Sequence, residues 1–253
     1  MAYTPEEIAQ VVEIMVDVMK NKGLLDRAEN REEFDLITQT GRQDLVQTVA
    51  DALGLRIESD PSSQLSIYLF PKDDASMFSV TKADVRRMMM RSIPNSESQA
   101  AKCNGIAAQA CIFCFIVHIF FSSDLAPEFT QQEEISLADL MDGIDRYFTE
   151  LERGGGDDCE PTPITSAAYY FHSRECTTEG VKLEDDRTRV STQVGLVKGV
   201  LKILDDYGML DSAALKNSIV RPTRRFACWF GTGIAASSNL LEIEKVFNEY
   251  GME

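Results

Sequence analysis

The segment IMVDVMKNKGLLD at residues 14–26 decides how this chain folds, because a second segment, GVLKILDDYGMLD at residues 199–211, repeats its pattern. In both, apolar residues recur at helical spacing, a glycine (Gly23 or Gly208) ends the run, and two apolar residues and an aspartate follow. Glycine adopts the left-handed backbone conformation that lets a helix stop sharply. The pattern predicts two related modules, although helices that end in this way are also common by coincidence.

Strand signals accompany both modules. Two runs of alternating apolar and polar residues, LRIESD at 55–60 and QLSIYLF at 64–70, flank a Pro-Ser-Ser turn and predict a β-hairpin. The segment SIVRPTRRFACWF at 218–230 alternates in its second half and predicts a second hairpin, or wing. Helices followed by a small hairpin make up a winged-helix-like unit.

Helical patterns fill most of the remaining chain. Thr4 is an N-cap residue followed by proline and two acids, which predicts a helix over residues 5–22. Further helices are expected over residues 31–40, 42–54, 81–92, 136–154, 164–176, 193–208 and 240–251. The predicted fold is α+β and predominantly α-helical. Two winged-helix-like domains, residues 1–92 and 154–253, are joined by a helical connector at 93–153, with the glycine-rich, acidic stretch at 154–163 as a linker.

Charge and cysteine content bound the function. The 253 residues carry a net charge of −16, which disfavours unaided binding along a DNA backbone. Residues 93–163 contain 13 acidic and 3 basic side chains, so this region repels polyanions most strongly. The six cysteines are too few for a disulfide scaffold, and the first ten residues lack the pattern of a secretory signal. These features predict a cytoplasmic protein with reduced thiols.

The middle of the chain contains an uncharged run. Residues 103–123 include no Asp, Glu, Lys or Arg over a length that is sufficient to cross a bilayer. Two observations favour instead a helix buried in a protein core or a subunit interface. The run contains the polar residues Asn104, Gln109 and His118, and no basic cluster flanks it. We therefore expect no membrane association, and a homodimer if the helix is an interface. The expected dimer or core residues are Ile112, Phe113, Phe115, Ile116, Ile119 and Phe120.

Metal binding and catalysis have little support in the residues. Cys111, Cys114 and His118 lie near one helix face, and His172 with Cys176 would complete a zinc site, but cysteines among apolar neighbours usually serve as small hydrophobes. The chain has two histidines, and it has neither a Gly-x-Ser-x-Gly nucleophile motif nor a phosphate-binding Gly-x4-Gly-Lys loop. We expect no catalytic residue, cofactor or metal, and therefore no enzyme.

Two basic groups are candidates for contact with DNA or a partner. One lies at the predicted second wing and the other on the helix at 81–92. Wings often lie against a nucleic-acid backbone, but the same arginines can pair with acidic neighbours or with an acidic partner. The candidates are Arg221, Arg224, Arg225, Arg86, Arg87 and Arg91.

The segments ADALGLRIESD and LSIYLFP within residues 50–71, together with VLKILDDYGML and SIVRPTRRF within residues 200–226, carry a family resemblance. The chain resembles the MukE-like, tandem winged-helix subunits that bind the kleisin of bacterial SMC-type, condensin-like complexes, including the Wadjet-type plasmid-defence systems. These motifs are mostly apolar patterns with glycine punctuation, and the uncharged central helix departs from the family.

The resemblance implies a non-enzymatic, dimeric interaction subunit. It would bind a kleisin-like protein, assemble with an SMC-like ATPase in chromosome segregation or plasmid defence, and contact DNA within that complex. The alternative is a winged-helix DNA-binding transcriptional regulator. The expected recognition helix at 42–54 disfavours that alternative, because it contains Arg42 as its only cation. A metal-dependent enzyme that uses the acidic middle is a third reading with little residue support.

Overall fold

The computed structural model describes residues 3–59, 65–72, 76, 78, 82–121, 133–154, 162–175 and 192–229. Backbone contacts divide the chain into two compact units, Met1–Thr81 and Lys82–Glu253. The boundary differs from the predicted one at residue 92, because the helix that begins at Lys82 packs with later helices. The predicted connector and C-terminal domain lie in one unit, because the helix at residues 99–120 packs against the helices at 163–172 and 193–206. Predicted features outside the described residues are the turn at 61–63, the helix start at 81, the linker at 155–161, Cys176 and the helix at 240–251.

The first unit contains three helices and a three-stranded sheet. In chain order these are α1 (Pro5–Lys20), β1 (Leu24–Asp26), α2 (Arg31–Thr38), α3 (Gln43–Ala52), β2 (Leu55–Ser59) and β3 (Ser66–Pro71). The sheet order is β1-β3-β2, with both pairs antiparallel.

Local sequence sets the two ends of α1. The Thr4 hydroxyl accepts a hydrogen bond from the Glu7 N–H (3.2 Å), and the Glu7 carboxylate accepts one from the Thr4 N–H (3.0 Å), which is a capping box. The helix ends at Lys20, earlier than predicted, because Lys22 and Gly23 have positive φ angles of 63° and 67°. The chain then turns into β1.

The predicted hairpin of β2 and β3 is confirmed. Strand β3 is the central strand of the three-stranded sheet. Leu55 of β2 lies opposite Pro71, while Leu25 of β1 lies opposite Ile67. Ile67 and Leu69 project from β3 into the core formed with the helices, whereas the alternate residues face the other side of the sheet. The sequence did not predict β1, which is only three residues long.

The second unit is mainly helical. Its elements are α4 (Lys82–Met90), α5 (Gln99–Phe120), β4 (Ile135–Ser136), α6 (Leu137–Gly154), α7 (Pro163–His172), α8 (Gln193–Asp206), α9 (Ser212–Lys216), β5 (Ile219–Val220) and α10 (Arg224–Trp229). Strands β4 and β5 form a two-stranded antiparallel sheet. Helix α5 packs against α4, α6, α7 and α8.

Helix α5 buries one side in the core of the second unit. Gly105, Ala108, Ile112, Ile116 and Phe120 follow one another three or four positions apart, so they share a helix face. By length and composition α5 is sufficient to cross a membrane, yet this side lies within a protein core. The core interpretation of the uncharged run therefore describes this face of the helix.

The six expected dimer or core residues are divided between two environments. Ile112, Ile116 and Phe120 are fully buried in the core of their own unit. An interface between copies cannot use these three side chains, because they are already covered within the chain. The other three are partly buried against the same core: Phe113, Phe115 and Ile119.

The second copy of the repeated pattern makes the same turn as the first. Helix α8 is followed by Gly208, whose φ of 67° equals that of Gly23. The N–H of Met209 then bonds to the carbonyl of Leu204 at 2.8 Å, which closes the helix end. Leu210 continues into an antiparallel bridge with Pro222.

The predicted second hairpin is wrong. Strand β5 pairs with β4 instead of with a following strand, and residues 224–229 form α10. The Thr223 hydroxyl accepts a hydrogen bond from the N–H of Phe226 (3.4 Å) and so supports the helix start. The alternating residues of RRFACWF also suit a short helix, in which Phe226 and Trp229 pack on one side.

Candidate partner-binding surfaces

Arg221, the first candidate of the predicted second wing, is held by two carboxylates. Its Nε donates to Glu134 Oε2 at 3.0 Å, and its Nη1 donates to Asp211 Oδ2 at 3.3 Å. The hydrogen bond to Glu134 is the main cause of a raised pKa for Arg221. Asp211 also accepts the N–H groups of Ala213 and Ala214, which caps α9. Arg221 therefore pairs with acidic neighbours, which was the predicted alternative to contact with DNA.

Arg224 and Arg225 are neighbours with opposite environments. Arg225 is buried, and its Nε donates to the carbonyl of Tyr207 at 3.0 Å, just beyond the C-terminus of α8. A cation at this point satisfies an unpaired helix carbonyl and complements the helix dipole. Arg225 is thus unsuited to DNA or partner contact, whereas Arg224 is exposed.

The three arginines of and after α4 are all exposed, but they differ in pairing. Arg87 forms an ion pair with Asp84 one turn earlier. The side chains of Arg86 and Arg91 form no hydrogen bond or ion pair with any other residue that the structure describes. Of the six predicted contact residues, Arg86, Arg91 and Arg224 are therefore the exposed cations without a described acidic partner.

Tyr207 connects the two regions that carry these arginines. Its hydroxyl lies 3.9 Å from Met88 Sδ of α4, and its carbonyl accepts the bond from Arg225 of α10. Arg91 follows Met88 by one helical turn, and Arg224 is adjacent to Arg225. The exposed Arg91 and Arg224 are thus close in sequence to the two residues that contact Tyr207.

Helix α3 of the first unit presents no cation outward. Its exposed residues include Gln43, Asp44, Gln47 and Asp51. Arg42, which precedes the helix, pairs with Glu7 at 3.3 Å. A helix that reads the DNA major groove lies close to phosphate charge. Helix α3 contributes no cation to this face; Lys72 neutralises Asp51 at 3.1 Å, and Asp44 remains as an outward carboxylate.

The described residues of the zinc alternative, Cys111, Cys114, His118 and His172, are not assembled into a metal site. Burial raises the pKa of Cys111 to about 12 and that of Cys114 to about 11, so both favour the thiol over the metal-binding thiolate. His172 lies instead between Glu152 (Nδ1–Oε1, 2.8 Å) and Asp145. Within the described part of the chain, no group of three or more His, Cys, Asp or Glu side chains is placed to hold a metal ion.

A polar cluster that sequence reasoning missed connects the start of α5 with the end of α7. The Tyr170 hydroxyl donates to Glu97 Oε2 at 2.8 Å, and Arg174 forms an ion pair with the other oxygen of Glu97. The Arg174 guanidinium also lies over the Tyr170 ring, 4.2 Å from its centre. The glutamate is 73 residues from the tyrosine in sequence, so no local pattern joins them.

A profile of a family of unknown function, DUF6063, matches residues 1–229. The chain belongs to the DUF6063 family. No curated protein and no solved structure matches the chain. The DUF6063 match covers the first unit and the second unit as far as Trp229, the last residue of α10.

Proposed function

We propose that this DUF6063 protein is a non-enzymatic interaction subunit of an SMC-like complex that handles chromosomes or plasmids. It binds a kleisin-like protein, as the MukE-like subunits that it resembles do, and acts beside an SMC-like ATPase that supplies the nucleotide chemistry. Cytoplasmic residence and a homodimer belong to the same proposal. The dimer interface would avoid Ile112, Ile116 and Phe120, which are covered within the chain.

The order of elements in the first unit is the observation that carries this proposal. A helix, a short strand, two helices and a two-stranded hairpin follow one another, and β1 adds to the outer side of β3. This order and pairing support a winged-helix-like domain. The second unit supports a smaller version of the same domain. Its α8, the turn at Gly208, α9 and β5 follow in an order similar to that of the first unit, but no second wing follows them in the described residues.

The charge distribution supports a protein partner for the first unit. The outward side of α3 carries Asp44 and Asp51. Arg42 beside it pairs with Glu7, and Lys72 pairs with Asp51 at 3.1 Å, so Asp44 gives this face its acidic character. Phosphate backbone would be repelled from this face, whereas a partner segment with basic side chains would be attracted to it.

The exposed arginines are suited to DNA contact. That contact would fit either a subunit that touches DNA inside the complex or the alternative function, a DNA-binding regulator. Arg86, Arg91 and Arg224 are the candidate cations for either role. A regulator would bind its operator alone and with a steep salt dependence, whereas a subunit of a larger assembly would need its partners.

Co-purification from the native host tests the proposal. The full chain, carrying an affinity tag, is expected to retain a kleisin-like protein and a long coiled-coil ATPase in stoichiometric amounts. A preparation that retains neither, but binds specific duplex DNA alone, would favour the regulator.

Charge-reversal variants test whether the exposed arginines contact DNA. Replacing Arg86, Arg91 and Arg224 by glutamate is expected to weaken DNA binding by the assembled complex and to reduce its salt dependence. The matched control is Arg146→Glu, which reverses an exposed charge on α6. If both variants bind DNA equally well, the arginines of α4 and α10 are not DNA contacts.

A further inference from the structure

Strand β2 lies at an edge of the three-stranded sheet, and half of its backbone groups point away from the sheet. Its partner on one side is β3, and no other described strand pairs with it. The N–H of Lys72 donates to the carbonyl of Gly54 at 2.8 Å, so the even-numbered residues of β2 are the ones that exchange hydrogen bonds with β3. The N–H and C=O groups of Leu55, Ile57 and Ser59 therefore point outward. No described residue outside the sheet forms a hydrogen bond with them.

The side chains of β2 make this edge complementary to itself. Arg56 and Glu58 carry opposite charges, are partly exposed and lie on the same face of the sheet. When a second β2 runs antiparallel to the first, with Ile57 opposite Ile57 of the second copy, Arg56 lies opposite Glu58 of the second copy. The two-fold symmetry of the arrangement repeats this ion pair on the other side of Ile57.

The same register also satisfies the outward backbone groups. It places Ile57 opposite its own counterpart and Leu55 opposite Ser59 of the second copy. These are the residues whose N–H and C=O groups point outward, so they become the hydrogen-bonded pairs of the new ladder. The charged pairs then occupy the non-hydrogen-bonded positions, where opposite side chains are closer together.

The position of Arg56 fits this arrangement. Its guanidinium lies over the ring of Phe70, 5.2 Å from the ring centre, and Phe70 is its partner residue on β3. Ile67 and Leu69 of β3 point into the core with the helices, so Arg56 and Phe70 are on the opposite face. The ring thus holds the guanidinium on the face that Glu58 shares.

We propose that two copies of this chain associate by antiparallel pairing of their β2 strands, centred on Ile57. The two sheets then form one six-stranded sheet across a two-fold axis, which requires the same surface patch on both copies. The occupant of the β2 edge is therefore a second copy of the chain. This inference rests on the homodimer of the proposed function and names its interface, whereas the kleisin-like partner plays no part in it.

Charge reversal in the full-length chain, followed by analytical ultracentrifugation, tests this interface. Arg56→Glu and Glu58→Arg each give both cross-strand pairs like charges, and each is expected to raise the dissociation constant of the dimer at least about tenfold. An equimolar mixture of the two variants has opposite charges at both pairs again and is expected to form a heterodimer about as tightly as the native chain dimerises. The matched control, Glu13→Arg, reverses an exposed charge on α1 and is expected to dimerise like the native chain.

Three results would overturn the proposal. One is equal dimerisation by Arg56→Glu, Glu58→Arg and the Glu13→Arg control, which would place the interface elsewhere. Another is a mixture that stays monomeric although both variants keep the circular dichroism spectrum of the native chain. The third is a native chain that is monomeric at every soluble concentration. That result would also remove the proposed homodimer, but co-purification of a kleisin-like protein would stand independently, so the two failures are distinguishable.

Disulfide trapping tests the register without reversing any charge. An oxidised mixture of Arg56→Cys and Glu58→Cys is expected to give a link between residues 56 and 58 of different chains, because residues in such a pair have Cα atoms about 4.5 Å apart. Either variant alone is expected to give no link at the new thiol, since residue 56 lies diagonally from residue 56 of the second copy, about 7–8 Å away. Peptide mass spectrometry separates these links from those of the native cysteines. No 56–58 link in the mixture, or equal yields from the single variants, would contradict the register.

Discussion

The cluster of Glu97, Tyr170 and Arg174 yields the sharpest test of the second unit. The side chains of Glu97 and Arg174 are only 14% and 13% exposed, so their charges depend on one another and on the Tyr170 hydroxyl. The substitution Tyr170→Phe removes the hydrogen bond to Glu97 and keeps the ring beneath the guanidinium. A largely buried hydrogen bond to a charged group contributes about 1.5–3 kcal/mol. We expect the free energy of unfolding to fall by that amount.

Urea unfolding followed by tryptophan fluorescence measures this loss. Trp229 is the single tryptophan of the chain and belongs to the second unit, so its signal reports on that unit. Tyr169→Phe is the matched control, because Tyr169 is 58% exposed and its hydroxyl is expected to contribute less than about 0.5 kcal/mol. Equal losses in the two variants would refute the assigned role of the buried hydroxyl.

The same tyrosine predicts a dependence on pH. Burial, with a further contribution from the hydrogen bond to Glu97, raises the pKa of Tyr170 above its ordinary value. The native chain thus holds the phenolic proton more tightly than the unfolded chain does. The stabilisation is present below about pH 10, where an unfolded tyrosine is still protonated, and it is lost as the pH rises further. The difference between the native chain and Tyr170→Phe should therefore shrink above about pH 10.

Three other substitutions or measurements test local conclusions. Alkylation at pH 8 should modify Cys111 at least about tenfold more slowly than the exposed Cys103, because burial raises the pKa of Cys111 and leaves little thiolate. Similar rates by peptide mass spectrometry would contradict that burial. Arg225→Ala should destabilise the second unit by about 2–4 kcal/mol in urea unfolding, since it removes a buried bond to Tyr207 and leaves a cavity, while Arg224→Ala should cost less than about 0.5 kcal/mol; the reverse order would exclude a structural role for Arg225. Thr4→Ala should lower the stability of the first unit by about 1 kcal/mol through loss of the capping box, as measured by circular dichroism in urea, and an unchanged midpoint would argue against the cap.

Local signals predicted most of the first unit. Thr4, Gly23 and the alternating residues of the hairpin act through their own neighbours in sequence, so the helices and the strands β2 and β3 were visible in the pattern. Strand β1 was missed because three residues are too few to show a period. It is defined by its pairing with β3, about forty residues later.

Long-range packing decided the features that sequence reasoning missed in the second unit. An alternating pattern at 224–229 suggested a strand, but Thr223 caps a helix there and Phe226 packs on Phe121. The arginines of VRPTRRF looked equivalent in sequence, yet Glu134 holds Arg221 and the end of α8 holds Arg225. His172 shows the same dependence on distant residues, since it lies between Asp145 and Glu152 of α6, which the sequence pattern did not connect with it.

The position of α5 in the chain has a consequence for biosynthesis. Its buried side is covered by α7 and α8, and α8 ends at Asp206, more than eighty residues after Phe120. At translation rates of about 5–20 residues per second, the ribosome needs roughly 4–17 seconds to deliver those partners. During that interval α5, whose only charged side chain is Lys102, emerges before α8 can cover it and exposes apolar surface that favours aggregation. The side of α5 that packs on α8 therefore stays uncovered until α8 has left the exit tunnel.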